Sequence, residues 1–472
     1  MKNNFKTCYI GDICKINENT YSNSDKWNFV NYLDTGNITK NKIENIQFIN
    51  LSLEKLPSRA KRKVKNNNII YSTVRPNQKH FGIIEEQPEN FLVSTGFAVL
   101  DVDCQKANPR FVYYYLTQEN YTNALHAIAE QSTSAYPSIK PSDIGNRKII
   151  LPTLEVQNKI AKVLSALDNK IELNNSINNN LEQQAQAIFN NKFVNLETVP
   201  SNWQIGNLSG IADYLNGLAM QKFRPSEDEI GIPVLKIKEL RQGFCDNQSD
   251  LCSPNIKSEY LINDGDVIFS WSGTLWLDLW CSGLCGLNQH LFKVTSSKYD
   301  KWFYYFWTKY HLNKFVAIAA DKATTMGHIK REDLDKSEVL IPDDETYIQL
   351  TSLLSPILEL IIKNKIENRQ LIQLRDTLLP KLMGGEIDVS NVDISADKLY
   401  EPANESKLSA EPYNSSGSFA SASKNLSSEQ SSSADKLSFS IMIIEYFYIK
   451  IVIIIGVVNY KNNTFKWSNN PV

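Results

Sequence analysis

Two stretches of the chain carry seam positions at alternating steps of four and three. In residues 154–193, which lack Pro and Gly throughout, they are Ile160, Leu164, Leu167, Ile171, Asn174, Asn178, Leu181, Ala185 and Ile188. In the second stretch they are Leu350, Leu354, Ile357, Ile361, Asn364, Asn368, Leu371, Arg375 and Leu378. Such a heptad seam predicts a pair of long amphipathic helices. Both seams place two Asn at matching positions. A polar seam residue costs stability but penalises slipped registers, because a displaced Asn would face apolar side chains. The helices are therefore expected to pack on each other, antiparallel, which would bring the Asn pairs together at mid-helix about a pseudo-two-fold axis. The alternative is two amphipathic helices that each cap a separate domain. Pro356 is expected to kink the second helix or to mark a later start.

The rest of the pattern is also written twice. Ile69-Ile70-Tyr71-Ser72 and Val267-Ile268-Phe269-Ser270 follow the turn residues Asn66-Asn67-Asn68 and Asp264-Gly265-Asp266, and read as strands. Residues 136–152 align without a gap on residues 326–342, pairing Ile139, Lys140, Asp143 and Pro152 with Ile329, Lys330, Asp333 and Pro342 at an offset of 190. Gly11-Asp12-Ile13 matches Gly206-Asn207-Leu208, and Phe111-Val-Tyr-Tyr-Tyr-Leu matches Trp302-Phe-Tyr-Tyr-Phe-Trp. The offsets of 195, 198, 191 and 190 differ as loops of a duplicated domain would. The aromatic runs are dense and consecutive, which suits buried helices more than stacking platforms. The expected fold is α+β: two similar mixed α/β domains separated by two long antiparallel coiled-coil helices. The expected boundaries are a first domain over 1–152, a helical spacer over 153–195, a second domain over 196–342, a second spacer over 343–387 and a tail over 388–472. A duplicated reader joined by long helices suits two recognition events at a fixed distance. About 36 residues at 1.5 Å each give roughly 54 Å, more than one turn of B-DNA at about 34 Å.

Composition narrows this only a little. A net charge of −2 over 472 residues does not advertise nucleic acid, and before Asp388 acidic and basic side chains are balanced. Any DNA-binding face must be a local patch. One strong basic run exists, Arg59-Ala-Lys61-Arg62-Lys63-Val-Lys65, with a solvated loop as the bland alternative. Seven scattered Cys, and an opening stretch with Lys2, Lys6, Asp12, Lys15 and Glu18 and no apolar run, point to free thiols in a reducing cytoplasm. Residues 406–440 hold 14 Ser and read as disordered. Residues 441–458 are intensely apolar but interrupted by Glu445 and Lys450. A weak membrane anchor and a docking element compete with an appended sequence under little selection. The last is expected, and with it no membrane partner.

Catalytic signatures do not occur. Neither G-x-G-x-x-G nor G-x-x-x-x-G-K-[ST] is found, nor H-E-x-x-H, nor an Asn/Asp-Pro-Pro-aromatic motif. Cys281-x-x-x-Cys285 with His290 lacks an evident fourth zinc ligand, so no metal site is expected there. Asp343-Asp344-Glu345 at a helix start is more simply a favourable dipole interaction than a metal site.

At this point the residues resemble a family. The run Ile139-Lys140-x-x-Asp143-Ile144 … Ile150-Leu151-Pro152 … Leu154-Glu155-x-Gln157-x-x-Ile160-Ala161 … Leu164-x-Ala166-Leu167-Asp168-x-Lys170-Ile171 is similar to the first conserved helical region of specificity subunits from Type I restriction–modification systems. Ile329-Lys330-x-x-Asp333-Leu334 … Ile341-Pro342 … Arg375-Asp376-x-Leu378-Leu379-Pro380-Lys381-Leu382-Met383-x-Gly385-Glu386-Ile387 resembles the second. The resemblance covers residues 1–387. It implies that each globular half is a target-recognition domain for one part of a split double-stranded DNA target. The helices would dock two methyltransferase subunits, and motor–nuclease subunits would complete a phage-defence complex. It further implies no catalysis and no cofactor in this chain, while the partners would use S-adenosylmethionine, ATP and magnesium. The second helix departs from the pattern, since residues 342–347 lack the Leu-Glu-x-Gln run of 154–157. A stand-alone DNA-binding or architectural protein is the alternative.

Base edges are read by Arg, Lys, Asn, Gln, Ser and Thr on loops that reach a groove, and phosphates are held by Lys and Arg. The base-reading candidates are Ser72, Thr73, Arg75, Asn77, Gln78 and Lys79 after the first strand, with Gln131 and Thr133. In the second half they are Ser272, Thr274, Asn288, Gln289, Thr324 and Thr325. The phosphate-contact candidates are Arg59, Lys61, Arg62, Lys63, Lys65 and Lys322.

Overall fold

Both halves build one two-stranded and two four-stranded sheets, and the first half adds a short pair, Ile38–Thr39 with Lys42–Ile43. The computed structural model describes residues 5–132, 136–321 and 327–389. It divides the chain into two units, Met1–Ala166 with Thr377–Val472, and Leu167–Asp376. Each unit therefore takes part of both long helices as well as one globular half. The tail expected over 388–472 lies outside the described residues from 390 onward, including the Ser-rich stretch and residues 441–458.

In the first unit, Lys6–Tyr9 pairs antiparallel with Lys148–Leu151, and a helical turn, Ile10–Ile13, follows. In the second, Gln204–Asn207 pairs with Glu338–Ile341, followed by the turn Leu208–Ile211. These elements correspond at an offset of 198, not 195. The Gly11–Gly206 match is thus corrected: Gly11 stands in a helical turn whose counterpart carries Ser209, and Gly206 sits in the preceding strand. The turn is held by backbone bonds that a short glycine match cannot report, Ile10 N to Arg147 O at 2.9 Å and Leu208 N to Ser337 O at 3.1 Å.

Each globular half then holds two four-stranded sheets. One runs in the order Cys14–Ile16, Phe97–Val102, Ile69–Ser72, Phe81–Ile83, and its counterpart Asp213–Asn216, Leu291–Thr295, Val267–Ser270, Trp276–Leu279. Ile69–Ser72 and Val267–Ser270 are buried at all four positions, as interior strands flanked on both sides should be. The other sheet runs Gln47–Asn50, Phe29–Leu33, Phe91–Ser94, Ala60–Lys63, repeated as Leu251–Cys252, Ile232–Leu235, Cys285–Leu287, Leu261–Ile262. Both copies contain one parallel pair, Phe29–Leu33 with Phe91–Ser94 and Ile232–Leu235 with Cys285–Leu287. The aromatic runs are core: Phe111, Tyr113 and Tyr114 are buried in helix Pro109–Leu116, and residues 302–307 are all buried in helix Lys301–Asp321.

The first long helix is Leu154–Phe189, prolonged by a π-helical turn, Asn190–Val194. The second is Asp344–Met383, so Pro356 lies inside it and does not mark its start. That start is fixed by Asp343, which accepts hydrogen bonds from Thr346 N (3.0 Å), Thr346 Oγ1 (2.9 Å) and Trp203 Nε1 (3.1 Å). The acidic run there is a cap as well as a dipole partner.

Within the second unit the helices run antiparallel. Arg375 meets Asp168 at 2.8 Å, Asn174 Nδ2 donates to Asn368 Oδ1 at 2.9 Å, and Asn364 Nδ2 donates to Asn178 Oδ1 at 2.8 Å. Asn174 also donates to Glu367 Oε2 at 2.7 Å, and Asn368 to Asn175 Oδ1 at 2.8 Å. Seam residues Ile160, Leu164, Leu167, Leu350, Leu354, Ile361, Leu371 and Leu378 are buried. Ile171, Leu181 and Ile357 are half-buried. Next to Ile357 it is Leu358, off the strict seam, that is fully covered.

The second globular body is latched to these helices. Ala185, Phe189 and Phe193 pack among Trp302, Phe303, Phe306 and Trp307, with Leu350 and Leu354 closing the cluster. Polar bonds surround it: Trp302 Nε1 donates to Thr351 Oγ1 (2.9 Å), Tyr305 OH donates to Glu182 (3.2 Å), and Arg369 grips Asp264 through both nitrogens (2.7 and 2.9 Å). Burial works against charge on Lys365, but Asp278 at 2.6 Å outweighs it and raises the lysine pKa.

Replacing Asn174 by Leu leaves the Asn368 and Glu367 groups short of a partner in a buried place and should cost about 1–3 kcal/mol in denaturant unfolding. The double change Asn174→Leu, Asn368→Leu should recover much of that loss; a double-variant loss equal to the sum of the two single losses would mean the pair does not couple. Phe189→Ala, at the centre of the aromatic cluster, should cost about 3–5 kcal/mol, and a loss under about 1 kcal/mol in the same assay would place the load elsewhere.

Candidate nucleic-acid interface

The loop after each buried central strand is clamped to the segment that precedes the repeated Ile-Lys. In the first half Val74 bridges Ser138, Arg75 N donates to Pro137 O at 2.9 Å, and Ile139 N donates to Thr73 O at 2.8 Å. In the second half Ser272 bridges His328, Gly273 N donates to Gly327 O at 2.9 Å, and Ile329 N donates to Trp271 O at 3.0 Å. The clamp is the same bond for bond. It joins the loop to residues 137–139 in one half and 327–329 in the other, and it equates Arg75 with Gly273.

The clamp also sorts the candidates. Ser72 is buried and donates Oγ–H to Val74 O at 2.8 Å. Thr73 is half-buried and donates to Gly96 O at 2.9 Å. Ser272 is buried with its Oγ 2.9 Å from His290 Nδ1, and buried Asn288 accepts from His290 N at 3.3 Å. Each of these four already makes a side-chain hydrogen bond inside the protein, which gives it a part in supporting the loops. Arg75, Asn77, Gln78, Gln131 and Thr274 are exposed. Gln289 is half-buried beside His290, with its Nε2 3.3 Å from the ring Nε2. Lys79 is tied to Glu119. Thr133, Lys322, Thr324 and Thr325 lie outside the described residues.

The basic run is a strand, Ala60–Lys63, not the loop of the bland alternative. It pairs with Phe91–Ser94 on one side, and Thr20 bridges Arg62 on the other. Lys63 is bonded to Asp25 and lies 5.5 Å from the Trp27 ring centre, and Lys65 meets Asp101 at 2.7 Å. Arg62 is half-buried, with its Nε covered. Among the described residues Arg59 and Lys61 are exposed without an ion-pair partner, Lys65 is exposed but paired, and the strand offers phosphate fewer cations than its composition suggests.

A polar hollow of about 590 Å³ opens in the second half between Gln221, Arg224, Lys236, Asp250, Gln289 and His290. Its floor depends on Gly217, where a Cβ would stand 2.3 Å from Asn288 O and 2.4 Å from Leu287 O. Gln221 lies in a 3-10 turn, Met220–Lys222, with Arg224 just after it, Lys236 follows the strand Ile232–Leu235, and no periodicity marks them in the sequence.

Two positions of the repeat are left-handed in both halves. Asn67 (φ +68°) corresponds to Gly265 (φ +85°), with their N–H groups bonded to Ile84 O and Trp280 O, both at 2.6 Å. Arg75 (φ +47°) corresponds to Gly273 (φ +64°). Asn adopts this region readily, whereas an Arg there carries roughly 1–3 kcal/mol of backbone strain. The Arg75 guanidinium lies over the Tyr136 ring at 4.9 Å, a contact worth about 0.5–1 kcal/mol at an exposed site.

Three buried thiols, Cys14, Cys252 and Cys281, are structural in character. Burial pushes Cys14 up to about 12, and Cys252 and Cys281 to about 11, which keeps them protonated at neutral pH. Cys285 meets Cys245, Sγ to Sγ 3.6 Å, rather than forming a ligand set with Cys281 and His290. Among the described residues, no three His, Cys, Asp or Glu side chains gather as a metal site, and no helix is long and apolar enough to cross a membrane.

Known proteins share this architecture. The HindI Type I restriction enzyme specificity subunit of Haemophilus influenzae is 23% identical over 464 residues, covering 81% of this chain and 99% of its own length. The MjaIX specificity subunit of Methanocaldococcus jannaschii is 27% identical over 304 residues, covering 60% and 70%. A crystal structure of a Type I restriction–modification S subunit from M. genitalium has a TM-score of 0.50 at 15% identity, covering 80% of this chain and 96% of its own, a likeness of fold. With the Type I restriction modification DNA specificity domain matched over residues 2–183 and again over 200–374, the chain belongs to the family of Type I specificity subunits, non-catalytic proteins of DNA sequence recognition.

Proposed function

We propose that this chain recognises a bipartite double-stranded DNA target, one half-sequence for each globular domain, and directs partner subunits to it. The observation that carries the reading is the repeated clamp. One backbone device presents exposed Arg75, Asn77 and Gln78 in the first half and Gly273 and Thr274 in the second. Equal scaffolds with unequal outward side chains suit two readers of different sequences. Arg59 and Lys61 beside the first clamp, and Arg224 beside the second, supply cations for phosphate, which positions without specifying.

The long helices receive two methyltransferase subunits, which modify adenine with S-adenosylmethionine. Motor–nuclease subunits using ATP and magnesium cleave unmodified DNA. The chain itself takes no cofactor, and the complex works in the cytoplasm. The spacer between half-targets is sensed as a length, so its bases are unspecified.

Long-read methylation mapping of cells expressing this chain with its methyltransferase should reveal a split adenine-containing motif with an unspecified gap. One contiguous palindrome would sink the two-reader proposal. Replacing residues 1–152 with the first domain of another family member should change one half-sequence and leave the other half and the gap intact; a change in both would show that the domains do not read independently.

A further inference from the structure

We propose that Arg75 is the residue through which the first domain reads a guanine, donating to its O6 and N7 from a guanidinium laid against Tyr136. The inference rests on the DNA-recognition reading above and deepens it to one side chain.

The two halves provide an internal control. At the first shared left-handed position the occupants are Asn67 and Gly265, residues that suit the backbone. At the second the occupants are Gly273 and Arg75. Both backbones there are held by the same pair of bonds, so the fold asks for glycine at this place and the first half carries arginine instead. Backbone preference does not explain an arginine, and the side chain is not buried, so core packing does not either.

Charge pairing does not explain it. Several cations of the same half are held by carboxylates: Lys79 by Glu119, Lys63 by Asp25, Lys65 by Asp101, and Arg110 by Glu85 at 2.8 Å. Among the described residues no carboxylate pairs with Arg75. Its contact is the face of Tyr136, itself 58% exposed, at 4.9 Å. A guanidinium stacked on a ring keeps its in-plane N–H donors pointing outward. The backbone places those donors on the loop that also exposes Asn77 and Gln78.

The ligand follows from the donor set. Arg offers donors alone, in a planar fork. In the major groove guanine presents two acceptors side by side, O6 and N7, whereas adenine pairs an acceptor with a donor. A fork without acceptors therefore selects guanine. A phosphate also accepts from Arg, but it would make the contact indifferent to sequence.

The test uses the full chain assembled with its methyltransferase subunits and a panel of duplexes in which each base pair of the first half-target is changed in turn. With the unaltered chain, one G·C pair should show a penalty of roughly 10–100-fold in methylation rate. In Arg75→Gly, which installs the residue of the sister position and should fold as well or better, that penalty should fall to within about twofold of none while penalties at the other positions stay. Arg75→Lys should lose most of the same penalty while keeping the salt dependence of binding, since charge remains but the fork does not. The proposal is overturned if Arg75→Gly keeps the full penalty profile, or if it slows every duplex equally and lowers the salt slope by about one, the mark of a phosphate contact. A target that proves not to be split is seen with the unaltered chain alone, so failure of the two-reader proposal is distinguished from failure of the Arg75 assignment.

Discussion

The second unit depends on a buried polar ladder. Asn174 with Asn368 and Asn178 with Asn364 face each other between the two helices, and they are satisfied only in one antiparallel register. Each amide left without its partner would lose hydrogen bonds in a place water does not reach, a cost of a few kcal/mol. A slip by one heptad turns every such bond off at once. The aromatic cluster around Phe189 and the latches from Arg369 and Lys365 all presuppose that register, because they join one globular body to points on both helices. Apolar seam residues supply attraction without direction; the asparagines supply the address.

This division of labour explains what the sequence could disclose. The seam, its two Asn pairs, the central strands and the buried aromatic runs are periodic or compositional signals, and they are read directly from spacing. Leu358 was not read because a strict heptad drifts against the real helical turn, and the neighbouring position rotates into the core. Pro356 misled because a proline so near a predicted start suggests a boundary, whereas Asp343 and Trp203 establish the start earlier. The Gly11–Gly206 match failed for a related reason: glycine identity is weak where backbone hydrogen bonds set the correspondence.

The candidate interface was legible as regions and not as residues. Composition nominates Ser72, Thr73 and Arg75 alike, but does not say where each lone pair and proton is directed. The fold decides that Ser72 and Thr73 bond inward to Val74 O and Gly96 O while Arg75 faces out. The basic strand makes the same point, since Lys63 and Lys65 count as cations in the sequence and as halves of ion pairs in the structure. Gln221, Arg224 and Lys236 gave no signal at all, because they meet only where the fold brings the 220–225 segment against the end of strand Ile232–Leu235.

The clamp has an evolutionary corollary. Its bonds run through main-chain groups of residues 73, 75, 137 and 139, and of 271, 273, 327 and 329, so side chains at the presented positions are left free of structural duty. One seat holds glycine in one copy and arginine in the other without altering a single clamp bond. Mutation can then rewrite the displayed vocabulary while the grammar that holds it stays constant, so that if these positions read DNA as proposed, a host gains new targets without having to solve the folding problem again.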